Sequence, residues 1–538
     1  MTQQASVSYD QVPYPGLSHS HTHPDSLATI GRLLGLQPAP VEKCRVLELG
    51  CATGSNVIPM ASSLTESNFT GIDLSARQIA EGQKWIYELG LKNISLRQMD
   101  ILDITPELGR FDYIIAHGVY SWVPENVREK LLSVCRQILA ENGIAFISYN
   151  TYPGWHIIKV ARDLMRYYSR NISDPIERVT EARSALHFFS GASPAEKSGY
   201  FSLLKSYDEF INFSENGASP KTDSALLHDE LEEINQPFYF HEFIEQAEKH
   251  GLQYLGDFEH AVEEKLPKDA LEVLRKKATG LIDLEQSCDF LVNRTFRKTL
   301  LVHKETSISR KLTPAKAKEF FIASHAKPAA EGFDLHSKTV VQFTDRNGSA
   351  LSTDHPVSKA ALLCLAEIWP RSMAFDELLS AARNQLNGST PAQNGANENT
   401  WDTDANVLAA NLLRAYGYSS ELVELHVFQP RIAAHAGEYP TAIPTARYQA
   451  LDGESVTNLR HERISLDGFD RFILQYLDGS SNRDRIIDAL INGPAADGTL
   501  ELNTEGEILD PDEKQELLKQ ELEFHLKWLA AASLLLDC

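Results

Sequence analysis

The stretch Val46-Leu47-Glu48-Leu49-Gly50-Cys51-Ala52-Thr53-Gly54-Ser55-Asn56 restricts what this chain can fold into more than any other. An apolar run of strand length enters a turn punctuated by glycines at 50 and 54 and leaves it as a helix. Glycine lets the backbone turn tightly and approach a ligand that a Cβ would hold away. The helix offers unpaired N–H groups near Ser55 and Asn56 to an anion such as a carboxylate. A second apolar run ends in Gly71-Ile72-Asp73-Leu74-Ser75, nineteen positions beyond Gly54. That is where a doubly wound sheet places an acidic acceptor for ribose hydroxyls, so the pair predicts a nucleotide-type pocket.

The pattern then continues as an α/β sequence. Strands are expected at Arg45–Leu49, Asn68–Ile72, Ile94–Gln98, Tyr113–Ala116 and Ala145–Tyr149, with helices at Asn56–Leu64, Ser75–Leu89 and Val127–Leu139. Such alternation predicts a parallel sheet covered on both faces. The helix Pro237–His250 and the strands Leu252–Phe258 and Arg297–His303 are expected to complete the same sheet, with a further helix at Lys268–Leu291. Residues 156–235 read as inserted helices (Ile157–Tyr168, Pro175–Phe189, Pro194–Asn212, Ser224–Glu233), which would emerge at the ligand end of the strands as lid and substrate wall. Beyond His303, three short helices (Pro356–Trp369, Ala374–Asn384, Asn406–Tyr416) and a strand-like Val423–Phe428 suggest a winged-helix-like module, interrupted by a polar loop, Asn387–Asn399. The last unit is helical at Gly468–Leu477, Ser481–Ile491 and Pro511–Ala531. The layout expected is 1–155, 156–235, 236–305, 306–430 and 431–538.

Charge and composition narrow the function. With 51 basic against 74 acidic residues the net charge is −23, which repels phosphate backbones and argues against nucleic acid while favouring cationic substrates. The six cysteines include no C-x-x-C pair, so neither a disulfide scaffold nor a zinc cluster is expected. No apolar run long enough to span a bilayer is present, and Met1 to Asp10 lacks a signal pattern, so a cytoplasmic protein without membrane contact is expected.

These motifs resemble the class I S-adenosylmethionine-dependent methyltransferases over about residues 40–150. More narrowly, the chain is similar to the bacterial branch with a methyltransferase regulatory domain, which includes rickettsial-type protein lysine methyltransferases. That likeness rests on Tyr9-Asp10-x-Val12-Pro13-Tyr14 with Thr22-His23-Pro24, on His117-Gly118-Val119-Tyr120-Ser121-Trp122-Val123-Pro124, on Ser148-Tyr149-Asn150-Thr151-Tyr152-Pro153-Gly154-Trp155, and on Leu227-His228-Asp229-Glu230 with Asn235-Gln236-Pro237-Phe238-Tyr239-Phe240-His241-Glu242-Phe243. It implies a Rossmann-like methyltransferase sheet with helical insertions and mainly helical, winged-helix-like C-terminal modules. The activity implied is methyl transfer from S-adenosyl-L-methionine to lysines of a protein substrate such as an outer-membrane protein precursor, by a homodimer joined through the inserted helices. The rivals are an enzyme acting on a small molecule such as a secondary metabolite or lipid, and a non-catalytic cofactor-binding assembly protein.

The resemblance assigns Glu48, Gly50, Ala52, Gly54 and Asn56 to the methionine moiety, Asp73 and Leu74 to the ribose region, Asp100 and Ile101 to the adenine, His117 and Gly118 to the transfer point, and Tyr14 to a cover. A turn for another nucleotide is the rival, but Ala52 and the missing G-x-x-G spacing disfavour NAD. The family's usual glycine is Ala52 here, a methyl group tolerable at φ below zero. Asp73 competes between ribose and a helix N-cap, and Asp100 between adenine and a solvated turn. Tyr120, Trp122 and Tyr152 are the expected catalytic residues, within an aromatic wall with Tyr149 and Trp155 that admits a cationic amine; the rival is that half or more of these rings pack the sheet. His19, His21 and His23 alternate as in a metal-binding tract, but the spacing also suits an extended arm with polar side chains on one face, methyl transfer needs no metal, and none is expected. His228-Asp229-Glu230 and Glu232-Glu233 could attract a basic peptide, but the default reading is a solvated helix face.

Overall fold

Seven strands make one mixed sheet in the order β3-β2-β1-β4-β5-β7-β6, where β1 is Arg45–Leu49, β2 Asn68–Asp73, β3 Ile94–Gln98, β4 Phe111–Ala116, β5 Leu139–Asn150, β6 Leu252–Asp257 and β7 Phe296–His303. The structure, a computed structural model, describes residues 12–14, 16–192, 199–212, 221–258, 266–387, 398–493 and 511–537. Strands β1 to β5 pair in parallel, and β7 runs antiparallel between β5 and β6. The late strands therefore complete the first sheet, as their pattern suggested. Val46, Leu47, Leu49 and Ile114 to Ala116 are wholly buried on both faces, which explains their continuous apolar runs.

Register sets the site. Glu48 pairs with Gly71 and Leu49 with Ile72, so β1 and β2 end side by side. The N–H groups of Gly50 and Cys51 both donate to the Ile72 carbonyl, at 2.8 and 3.1 Å, which brings the turn against Asp73. At the other edge Arg297 is fully buried between Asp257, Asp289 and Glu285 and lies 3.7 Å from the Phe240 ring centroid, fastening β6, β7 and the helix Phe240–Lys249 together.

Three expectations change. The helix read over Lys268–Leu291 is two, Lys268–Lys277 and Leu281–Val292, because Ala278 and Gly280 are extended and break the backbone ladder. The N-terminal arm is not extended beyond His19: Ser20–Thr22 is a 3₁₀ turn, and Pro24–Leu33 is a helix starting with Pro at its first position and capped by the His23 ring, which accepts the Asp25 N–H. The C-terminal unit holds a β-hairpin, Ser455–Thr457 with Arg463–Ser465, besides helices Pro444–Gln449, Gly468–Leu474, Arg483–Asn492 and Pro511–Ala531. Tyr9 and Asp10, the first residues of helix Pro194–Asn212, most of the Asn387–Asn399 loop and Cys538 lie outside the described residues. Among those described, no helix is long and apolar enough to cross a membrane.

Candidate active site

The glycine turn adopts the backbone its residues suggest, with one exception. Gly50 and Gly54 have φ of 76° and 77°, and a Cβ at Gly50 would stand 2.5 Å from Val119 Cγ2. Ala52 also lies in the left-handed region, at φ 50°, against the expectation of a negative φ. Its N–H donates to Asp73 Oδ2 at 2.8 Å, and that bond offsets a conformation costing an L-residue about 1 kcal/mol.

Turn, arm and inserted helix enclose a solvent-open cleft of about 1130 Å³. Its wall includes Tyr14, Glu48, Gly50, Ala52, Asn56, Asp73, Leu74, His117, Gly118 and Trp122. A smaller hollow lined by Asp73, Leu74, Asp100 and Ile101 lies beside it and shares Gly50 and Val119 with it. Every expected cofactor residue borders one or both spaces except Gly54, which sits in the turn behind them, its α-carbon facing Leu96 and Ile58.

Glu48 is almost wholly buried. Its Oε1 accepts from the Asn56 amide at 2.8 Å, and its Oε2 is buried without a hydrogen-bond partner among the described residues. Burial, reinforced by Asp73 and opposed by Asn56, lifts its pKa to about 8. An unpartnered carboxylate oxygen at a cleft wall fits a cationic ligand group such as an amino-acid ammonium. Asp73 Oδ1 accepts from Ser75 N at 2.9 Å, but the cap of helix Ala76–Glu88 is Ser75, which frees Asp73 from the competing cap role. Asp100 caps a 3₁₀ turn by accepting from Leu102 N at 2.9 Å, and Ile101 is buried. Ser148 Oγ takes the Gly118 N–H at 2.8 Å and pairs with His117 Nδ1 at 3.0 Å, holding the loop after β4.

The Asn56 side chain is taken up by protein groups. Its amide nitrogen also donates to Thr22, and its oxygen receives His19 N–H at 2.9 Å and pairs with His461 Nε2 at 2.8 Å, so it knots arm, turn and C-terminal unit.

Of the three expected catalytic rings, only Trp122 lies at the cleft, set edge-on to Trp155 at 6.2 Å. Tyr120 is a correction: it is fully buried, packs on Phe238, Phe243 and Tyr149, and its hydroxyl pairs with Gln246 at 2.6 Å. Tyr149 is likewise core. Tyr152 stacks on His156, 4.1 Å between centroids, beside Tyr239, and is not among the residues lining the cleft. The core's need for large apolar groups claims Tyr120 and Tyr149, whereas Tyr152 is only half-buried.

The cover has members that periodicity misplaced. Helix Asp223–Glu230 is not a solvated face: His228 and Glu230 are buried, and His228 with Asp229 lines the cleft. His228 Nε2 holds the Val12 carbonyl at 2.6 Å and Ser224 Oγ the Pro13 carbonyl at 2.5 Å, which seats Tyr14 against His228 at 5.9 Å. Burial and the neighbouring Asp229 push the Tyr14 phenol well above its ordinary pKa, while burial raises Asp229 despite Lys221 at 3.0 Å. The quoted Leu227-His228-Asp229-Glu230 segment was the signal available for them.

Comparison with known proteins agrees with this anatomy. Residues 46–143 match the family described as "Methyltransferase domain", 222–303 "Predicted methyltransferase regulatory domain", and 438–534 "PKMT, C-terminal winged helix domain", the segment expected only as helical. Uncharacterized protein RP789 of Rickettsia prowazekii is 38% identical over 96% of this chain and 90% of its own. Uncharacterized protein RP028 of the same organism is 40% identical over 46% of this chain and 97% of its own. The structure of PKMT2 from Rickettsia typhi in complex with AdoHcy superposes with a TM-score of 0.84 at 30% identity, covering 97% of this chain and all of that one.

Proposed function

Because the chain belongs to the family of S-adenosylmethionine-dependent methyltransferases that includes PKMT2 of Rickettsia typhi, we propose that it methylates the side-chain amines of lysines in a protein substrate. The observation that carries the reading is the cleft, in which Glu48 Oε2 lacks a partner among the described residues, Asp73 stands beside the turn and Asp229 lines the wall, together with a full-length likeness to PKMT2. When bound, S-adenosylmethionine supplies a methyl group on a positively charged sulfur. Glu48 would hold the ligand's ammonium and Asp73 its ribose hydroxyls, and Leu74, Asp100 and Ile101 would border the adenine. His117 and Gly118 flank the transfer point, and Tyr14 closes over it.

The acceptor places a second demand on the protein. A lysine ammonium has a pKa of about 10.4 and no lone pair, so the cleft must draw in a cation and then favour its neutral form. Asp229 and the Trp122 ring supply the attraction, and withdrawal from water beneath the arm favours the neutral amine, whose proton passes to solvent through the open cleft before transfer. Catalysis then reduces to holding the amine in line and dry. Exposed rings on the inserted helices, Tyr167, Phe188 and Phe210, support pairing of two copies through residues 156–235, which also act as the lid. We assign the enzyme to the bacterial cytoplasm and its substrate to lysine-bearing proteins such as outer-membrane precursors before export.

The test is incubation with methyl-labelled donor and bacterial lysate, followed by mass spectrometry of protein and small-molecule fractions. Label on lysine side chains is expected. Label confined to small molecules overturns the lysine reading, and product binding without transfer to anything overturns the enzyme.

A further inference from the structure

Three histidines distant in sequence meet at the edge of the cleft. His19 and His21 come from the arm and His117 from the loop after β4, and one ring nitrogen from each lies within 4.8 Å of the other two. The ring centroids of His19 and His117 are 4.0 Å apart, and those of His21 and His117 are 5.0 Å apart. The 3₁₀ turn at Ser20–Thr22 produces the convergence, since the Thr22 N–H and hydroxyl both bond the His19 carbonyl and fold the arm back on itself.

Packing alone leaves these rings poorly explained. A buried imidazole ordinarily has hydrogen-bond partners, yet His21 Nε2 is buried without one among the described residues. His117 is tethered at Nδ1 by Ser148 Oγ, the arrangement that fixes a histidine with its other nitrogen directed elsewhere. Phe146 packs on both His21 and His117, at 5.5 and 5.9 Å, so the cluster has an apolar shell on its sheet side. His19 and His117 border the cleft, which leaves a fourth direction open.

We propose that His19, His21 and His117 form a binding site for a divalent cation of the zinc class, with its open coordination position toward the cleft. Three imidazoles plus one exchangeable ligand is a usual zinc arrangement, and at bond lengths of about 2.0–2.1 Å the three nitrogens would stand about 3.4 Å apart around a shared ion. Lys298 places a positive charge near all three rings. The same Lys298 charge opposes the ion and sets the affinity below that of a thiolate-rich zinc site. The ion joins the arm to the β4 loop, so its effect is to fasten the wall formed by Leu17 and His19 over the cofactor space.

The test uses full-length protein, freed of any histidine tag and stripped with chelator, titrated with Co²⁺ alone and then with Zn²⁺. One equivalent of Co²⁺ should bind with a visible ligand-field band, disappear on Zn²⁺ addition, and bind at least about tenfold more weakly in His21→Ala. S-adenosylhomocysteine binding by His21→Ala, measured without metal, shows that the variant is folded, and His21→Cys should restore Co²⁺ binding with a thiolate charge-transfer band. Absence of the band and of stoichiometric uptake in the wild-type protein overturns the proposal, as does unchanged binding in folded His21→Ala. The readout is metal occupancy, so it stands or falls separately from lysine methylation.

Discussion

Glu48 determines how cofactor binding should depend on pH. Its folded pKa of about 8 means that the empty cleft keeps this carboxyl protonated at neutral pH, whereas a bound ammonium requires it ionised. Binding below pH 8 therefore releases a proton, and affinity for S-adenosylhomocysteine should fall as pH drops from 8 to 6, by up to about tenfold per unit. Because the unfolded chain loses this proton near the ordinary carboxylate value, the empty fold also loses stability as pH rises from about 4.5 to 8. Calorimetry in buffers of different ionisation enthalpy reads the released proton, and Glu48→Gln should abolish it. At Asp73, removal of the carboxylate by Asp73→Ala should weaken cofactor binding by about 1–3 kcal/mol; unchanged affinity would remove it from the ribose. Glu48 and Asp73 were legible in the sequence because motif spacing fixes their positions at strand ends. The left-handed Ala52 was not, since the bond from its N–H to Asp73 that holds it is formed only once β1 and β2 align.

At the scale of elements, the sheet was readable because each strand carries its own apolar run, and even the late strands β6 and β7 kept that signature across long insertions. Where a ring could serve either core or cleft, the sequence did not decide. Tyr120 went to the core because β4, β5 and the helix Phe240–Lys249 meet there, a fact of topology rather than of local pattern. Helix Asp223–Glu230 is the converse case, polar in pattern but buried because the arm lies across it. That contact is testable. His228→Ala removes the ring that holds the Val12 carbonyl and abuts Tyr14, so the cover should loosen and cofactor affinity fall by about 1 kcal/mol. Stopped-flow measurement should show the loss mainly as faster cofactor release, with the melting of the seven-stranded sheet little changed. A lower melting temperature with unaltered release would instead make the helix a purely structural support.

Across the whole molecule, the C-terminal unit reaches the catalytic domain through buried polar contacts no local motif announces. Asp25 on the arm helix accepts from Val427 and Phe428 N–H at 2.8 and 2.9 Å and pairs with His426 at 2.7 Å; His426 pairs with Glu424, and Glu424 with Arg460 of the hairpin unit. The carboxylates raise His426 to about 9, while Arg460 and His426 bring Glu424 down to about 2 in spite of burial. His426 contributes stability that is fully present below pH 6.5 and lost as pH climbs through 9; Glu424 contributes above about 4.5 and loses it toward pH 2. The clamp is thus complete between about pH 4.5 and 6.5 and weakens on the alkaline side by on the order of 3 kcal/mol. X-ray scattering from pH 6 to 9.5 should show the C-terminal unit separating as His426 deprotonates, and His426→Ala should remove the dependence. Arg460→Ala, which strands Glu424 among buried groups, should cost about 3–5 kcal/mol at neutral pH. Since His461 is the next residue and bonds Asn56 behind Glu48, loosening the clamp should also weaken cofactor binding, and His461→Ala should reproduce that loss, at about 1 kcal/mol, without opening the molecule. If scattering shows separation while cofactor affinity stays constant, the two domains are joined mechanically but not energetically coupled through Asn56.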